Sequence, residues 1–107
     1  MSIPVDLASL RTEIERIGAG ALLITAGADG PPHVASVLVT CEGEHLAMGA
    51  GRKTRANAAV RPAVTLVWPD ADDGHCLIVD GTALEMIAEP FVVQPVSAVL
   101  HRIAAAS

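Results

Sequence analysis

From Ala21 onward the apolar residues come in short runs, many of them β-branched, each stopped by glycine, proline or acidic turn residues. Breaks this frequent leave no room for long helices and constrain the chain to hairpin-connected strands. The runs are Ala21 to Ala26, His33 to Cys41, His45 to Met48, Ala63 to Trp68, Cys76 to Met86, and Phe91 to Ile103, the last interrupted at Pro95. Asp29-Gly30-Pro31 and Glu42-Gly43-Glu44 have turn chemistry. Gly81 marks a bulge or bend, and Pro95 fits only at an edge or a bulge. Pro69 to Gly74 reads as a solvated acidic loop. Six strands joined in this way predict a small antiparallel barrel, mainly β with two short helices.

The first helix is expected over about 6–17. Leu7, Leu10, Ile14 and Ile17 share one helical face, Asp6 can cap the start, and Gly18 and Gly20 mark the stop. It should pack on a sheet or plug a barrel end. At 107 residues the chain is read as one domain, 1–107, with the barrel over about 21–103 and an alanine-rich tail from Ala104. It is 51% hydrophobic but only 2% aromatic, so the core must be aliphatic. So much apolar residue in a small domain favours cover by a second copy, hence a homodimer.

Charge is unevenly placed. Against 12 acids there are 7 bases, and four of these (Arg52, Lys53, Arg55 and Arg61) fall in one ten-residue window. No acid lies between Glu44 and Asp70. Gly49-Ala50-Gly51 precedes the window, Thr54 can cap a short helix, and Ala56, Ala58 and Ala59 continue it to Pro62. Such a helix start, with Arg52 and Lys53 beside it, suits a phosphate. The bland reading is a solvated basic turn.

Other features exclude more than they assign. Net charge of −5 argues against nucleic acid as a partner. No apolar run has the length of a membrane span, and the N-terminus has no signal-peptide pattern. Cys41 and Cys76 lack metal or redox spacing and read as buried thiols in a reducing cytoplasm, with a disulfide as the lesser alternative. His33, His45, His75 and His101 have no metal-ligand spacing. Ser36 has no nucleophile-elbow context. Trp68 suits a core or dimer anchor before a stacking platform. His101-Arg102 is an exposed strand end or a pair facing cofactor or substrate.

The order of these parts resembles the pyridoxamine 5′-phosphate oxidase-like superfamily of FMN-binding split barrels, in its small single-domain form. The residues carrying the likeness are Leu22 to Thr25, Asp29 to Val34, Gly51 to Asn57, Arg61 to Pro69, Ile78 to Ala83 and Ala98 to Arg102. The resemblance implies a six-stranded antiparallel split barrel and a homodimer with cofactor at the interface. It gives the phosphate to Arg52, Lys53 and Thr54, with Asn57 fixing the loop. The ring edge falls to Ser36 and Val37, with Gly49 and Ala50 leaving room beside it. Trp68, His101 and Arg102 are further cofactor- or substrate-facing candidates. FMN is the first choice, a deazaflavin coenzyme or haem the others, and some members have no demonstrated cofactor. A full pyridoxamine phosphate oxidase is about twice as long, so that specific activity is rejected. Two functions remain: a flavin- or deazaflavin-dependent oxidoreductase, or a dimer that binds the cofactor or another small anion without turnover.

Overall fold

The computed structural model describes residues 2–72 and 74–104. Asp73 of the acidic loop and the end of the alanine tail, 105–107, lie outside the described residues. The elements are β1 (Ser2–Val5), a 3-10 turn (Leu7–Ser9), α1 (Leu10–Ile17), β2 (Gly20–Thr25), β3 (His33–Leu38), β4 (Thr40–Glu42), β5 (His45–Met48), α2 (Arg52–Val60), β6 (Ala63–Asp72), β7 (His75–Glu85) and β8 (Phe91–Arg102). No helix among the described residues is long and apolar enough to cross a membrane.

The strands form one antiparallel sheet in the order β3-β2-β6-β7-β8-β5-β4, with β1 added to β8. Only Val39 separates β3 from β4, and these two strands are the opposite ends of that order. One bent segment therefore pairs with β2 through its first half and with β5 through its second, curling the sheet into a barrel. Counted this way the barrel has the six expected strands, and β1 is an unexpected addition. Its partner β8 uses Phe91 to Val93 on β5 and Ala98 to His101 on β1, so the barrel is split along that edge.

Period-two alternation sets the core. Leu23, Val64, Leu66, Trp68, Leu77, Val79, Phe91 and Val93 all point inward and are buried. From α1, Leu10 and Ile14 join them, whereas Leu7 lies in the 3-10 turn and is 43% exposed, off the face the sequence assigns it. Asp6 caps as expected, accepting from the Ala8 N–H at 3.2 Å. Pro69 to Asp72 is not a free loop: β6 runs on through it after an irregularity in pairing, with Ala71 buried.

Gly81 faces Pro95 where the β7–β8 register shifts, so both breakers sit at one bulge. A Cβ on Gly81 would stand 2.6 Å from Val93 Cγ1 and 2.7 Å from the Gln94 carbonyl oxygen. The second is backbone and cannot turn aside. Gly81→Ala is expected to destabilise the fold by about 1–3 kcal/mol, read as a lower midpoint in urea with an unchanged slope.

Candidate functional site

α2 begins earlier than its sequence suggests. Gly51 is the N-cap, in extended conformation (φ −81°, ψ 177°), and offers no side chain to the helix start. The first intrahelical bond runs from the Arg55 N–H to the Gly51 carbonyl at 3.1 Å. The N–H groups of Arg52, Lys53 and Thr54 precede it and are free of that ladder. Thr54 is therefore not the cap, and its side chain is buried at 1% exposure. Only its backbone N–H belongs to the helix end.

The four bases of the window divide into two pairs. Arg55 is tied down: Nε donates to the Ala50 carbonyl at 2.9 Å, and Nη1 to the Met86 and Ala88 carbonyls at 2.9 and 3.0 Å. Its Nη2 meets the Glu89 carboxylate, and the guanidinium lies 5.9 Å from the Phe91 ring centroid. Arg61 Nε donates to the Gly27 carbonyl at 2.8 Å. Both residues are structural. Arg52 and Lys53 are exposed and have no ion-pair partner among the described residues.

This arrangement works against the helix. The first turn contains no acid, and two cations sit at the positive end of the helix dipole. Charges so placed cost about 0.3–1 kcal/mol each. A bound anion would turn that repulsion into attraction, so the residues present fit a phosphate-bearing group. A Cβ on Gly49 or Gly51 would meet no protein atom within 4 Å, which leaves the space beside the loop open. An open cleft of about 530 Å³ runs from Ala50 and Arg52 along Ala56 and Ala59 to Met86 and Ile87.

Asn57 is buried on the other face of α2, where its Nδ2 donates to the Thr25 hydroxyl at 3.2 Å. A Cβ on Gly27 would stand 2.8 Å from Asn57 Oδ1, so this pair locks α2 against the turn after β2. Asn57→Ala strands the buried Thr25 hydroxyl and should cost about 1–3 kcal/mol. Thermal unfolding of that variant checks it, and Thr25→Val made in the same background should recover part of the loss.

The remaining candidates are not gathered here. Ser36 and Val37 line a separate shallow groove of about 340 Å³ with Gly20 to Leu22, Leu38 and Pro69. Trp68 is only 1% exposed, and its Nε1 donates to the Gly18 carbonyl at 2.9 Å. It lies on the inward side of β6 and cannot stack on a ligand at the surface. His101 and Arg102 end β8, ten residues and roughly 30 Å of strand from Phe91, where β8 passes β5 and α2. His101 Nδ1 and the Ser2 hydroxyl lie 2.9 Å apart across the β1–β8 pairing. Within one protomer the pair is an exposed strand end.

Both cysteines are free and half-buried, less enclosed than the sequence suggests. Cys41 borders a further cleft of about 520 Å³ between α1 and the β4–β5 hairpin. Burial raises its pKa, Arg11 opposes this, and Glu15 and Glu42 add to it. The thiol is thus kept protonated near neutral pH, contrary to what a nucleophile needs. No cluster of three or more His, Cys, Asp or Glu suited to a metal occurs among the described residues.

Sequence reasoning missed the loop between β7 and β8. The Glu85 carboxylate accepts from the Ile87 and Ala88 N–H groups at 2.9 and 2.7 Å, and these bonds hold its pKa below the usual carboxylate range. The carbonyls that Arg55 collects come from the same loop, 31 and 33 residues away, a separation at which no local pattern signals contact.

No family model matches the chain. Uncharacterised proteins of Mycobacterium bovis and Mycobacterium tuberculosis are each 41% identical to it over 86 residues, 74% of this chain and 54% of the relative. The chain spans about half the length of these curated relatives. Among solved structures, an F420 reductase superposes with a TM-score of 0.63 at 22% identity, over 82% of this chain and 94% of that one. An FAD-binding protein from Mesorhizobium loti gives 0.66 at 14% identity, over 94% and 98%. A Listeria innocua protein named for pyridoxamine 5′-phosphate oxidase gives 0.64 at 15%, over 85% and 92%. At such identities the likeness is one of fold, and it agrees with the curled sheet and bent β3–β4 segment described above. The chain is a split barrel, with the fold of the pyridoxamine 5′-phosphate oxidase-like proteins.

Proposed function

We propose that the chain binds a phosphate-bearing flavin, FMN or a deazaflavin coenzyme, and serves as an oxidoreductase when the cofactor is bound. The observation that carries this reading is the start of α2: a helix end with no side-chain cap, no acid in the first turn, and two cations without an ion-pair partner among the described residues. Arg52, Lys53 and the N–H groups of the first turn would hold the phosphate, with Gly49 to Gly51 giving it close approach. The flavin itself supplies the hydride chemistry; the protein binds and orients it. Neighbours of the same fold that are named for F420 reduction and FAD binding support the choice of cofactor class.

A homodimer belongs to the same proposal. On the outer face of the sheet, Val34 and Leu38 are 53% and 74% exposed. Val34 pairs with Ile24, and Leu22 pairs with both Ser36 and Val67. These make a continuous apolar surface of the kind a second copy covers. Such a contact would also bring the Ser36 side chain toward a partner's cofactor, whereas Val37, buried in the core, could offer only its backbone.

One observation favours the second reading, a dimer that holds its ligand without turnover. Both aromatic side chains, Trp68 and Phe91, are buried, so neither is offered to a flavin ring. The experiment is a spectral titration of the purified protein with FMN, a deazaflavin and haem, followed by anaerobic addition of a reduced nicotinamide donor. Binding of a flavin followed by its reduction supports the oxidoreductase. Binding with no reduction by any donor supports the carrier, and exclusive binding of haem contradicts both flavin readings.

A further inference from the structure

Ile87 is 92% exposed, the most open large apolar side chain among the described residues. Flexible loops often leave such residues in water, but this loop is not free to move. Glu85 holds the Ile87 and Ala88 N–H groups, and Arg55 holds the Met86 and Ala88 carbonyls. Every backbone hydrogen-bonding group from the Met86 carbonyl to the Ala88 carbonyl, apart from the carbonyl of Ile87 itself, thus has a side-chain partner. Glu89 also pairs with Arg55, whose Nε fixes the Ala50 carbonyl at the mouth of the basic loop. One arginine thereby sets the position of Ile87 relative to Arg52, and both residues line the same cleft.

We infer that Ile87 is a specificity-determining residue: it contacts the apolar body of a ligand whose phosphate rests on Arg52. This rests on the phosphate assignment made above and extends it to the ligand's second half. The class implied is an organic phosphate that carries a flat or aliphatic group beyond its phosphoryl end, as FMN does; inorganic phosphate alone would not engage the loop. Glu85 is a positioning residue, because it binds the loop's N–H groups and does not line the cleft; Arg55 holds the loop's carbonyls and also borders the cleft. The cleft favours a ligand over a second copy, since its far wall is the cationic helix end and two such ends from two copies would repel.

The test is equilibrium binding of FMN and of inorganic phosphate to the wild type, Ile87→Ser, Glu85→Ala and Glu85→Gln, with light scattering of each. The expected result for Ile87→Ser is FMN affinity about five- to tenfold weaker, the loss of part of one aliphatic contact, with phosphate affinity and molecular mass unchanged. Glu85→Ala should weaken FMN binding similarly, and Glu85→Gln, which keeps an acceptor oxygen, should restore it. Unchanged FMN affinity in Ile87→Ser overturns the inference, as does a fall in molecular mass, which would make Ile87 a contact between copies. Failure of the wild type to bind either phosphate compound overturns the phosphate assignment itself, an outcome distinct from the other two.

Discussion

Trp68→Ala is expected to lower stability by about 3–5 kcal/mol, a large part of the 5–15 kcal/mol typical of a domain. The ring is essentially without solvent contact and sits among aliphatic side chains that cannot fill the hole it would leave. Its Nε1 is also the donor to the Gly18 carbonyl, where α1 ends in a glycine with φ of 120°. The loss would therefore loosen α1 as well as the barrel. Trp68→Phe reduces the packing loss and isolates most of the donor's effect: it keeps a buried aromatic ring and removes the N–H together with the second ring, at about 1–3 kcal/mol. Urea unfolding measures both. Flavin affinity of the phenylalanine variant should match the wild type, because Trp68 faces the core and not the cofactor.

Arg52→Gln/Lys53→Gln is expected to act in opposite directions on binding and stability. Glutamine has nearly the helix propensity of arginine and lysine, so the change removes charge and little else. Losing two charge-assisted contacts at an exposed helix end should weaken FMN about 30- to 100-fold. Removing the same two charges from the positive end of α2 should stabilise the ligand-free protein by about 0.6–2 kcal/mol. A tighter fold that has lost its ligand is the mark of a site built at a cost to stability. Calorimetry of the variant with and without FMN reads both quantities. A variant that loses stability without ligand would show that the two cations serve the fold.

Much of the barrel was legible because its signals are local. Alternating apolar residues, Gly43 in the β4–β5 turn and the paired breakers Gly81 and Pro95 each specify a strand, a hairpin or a bulge without reference to distant residues. β1 was not legible: Ser2 to Val5 is short, contains Pro4, and is a strand only because β8 offers a free edge. Trp68 was legible as a core or dimer anchor, and its parity with Val64 and Leu66 agrees with its burial. The start of α2 was misplaced because capping preference favours threonine, whereas the extended Gly51 admits the helix three residues earlier. The basic window was visible as charge, but not its division into two structural and two open bases. That division depends on carbonyls of the 86–88 loop and of Gly27, which only the folded barrel brings to α2.

The phosphate assignment at α2 is tested most directly by the ratio of affinities for FMN and riboflavin, measured by fluorescence titration in the wild type and in Arg52→Gln/Lys53→Gln. The two ligands differ only in the phosphoryl group. The expected result is FMN bound at least about 30-fold more tightly by the wild type, with the preference largely erased in the variant. Equal affinity of the wild type for both ligands, or a preference for FMN that survives the double substitution, would contradict it.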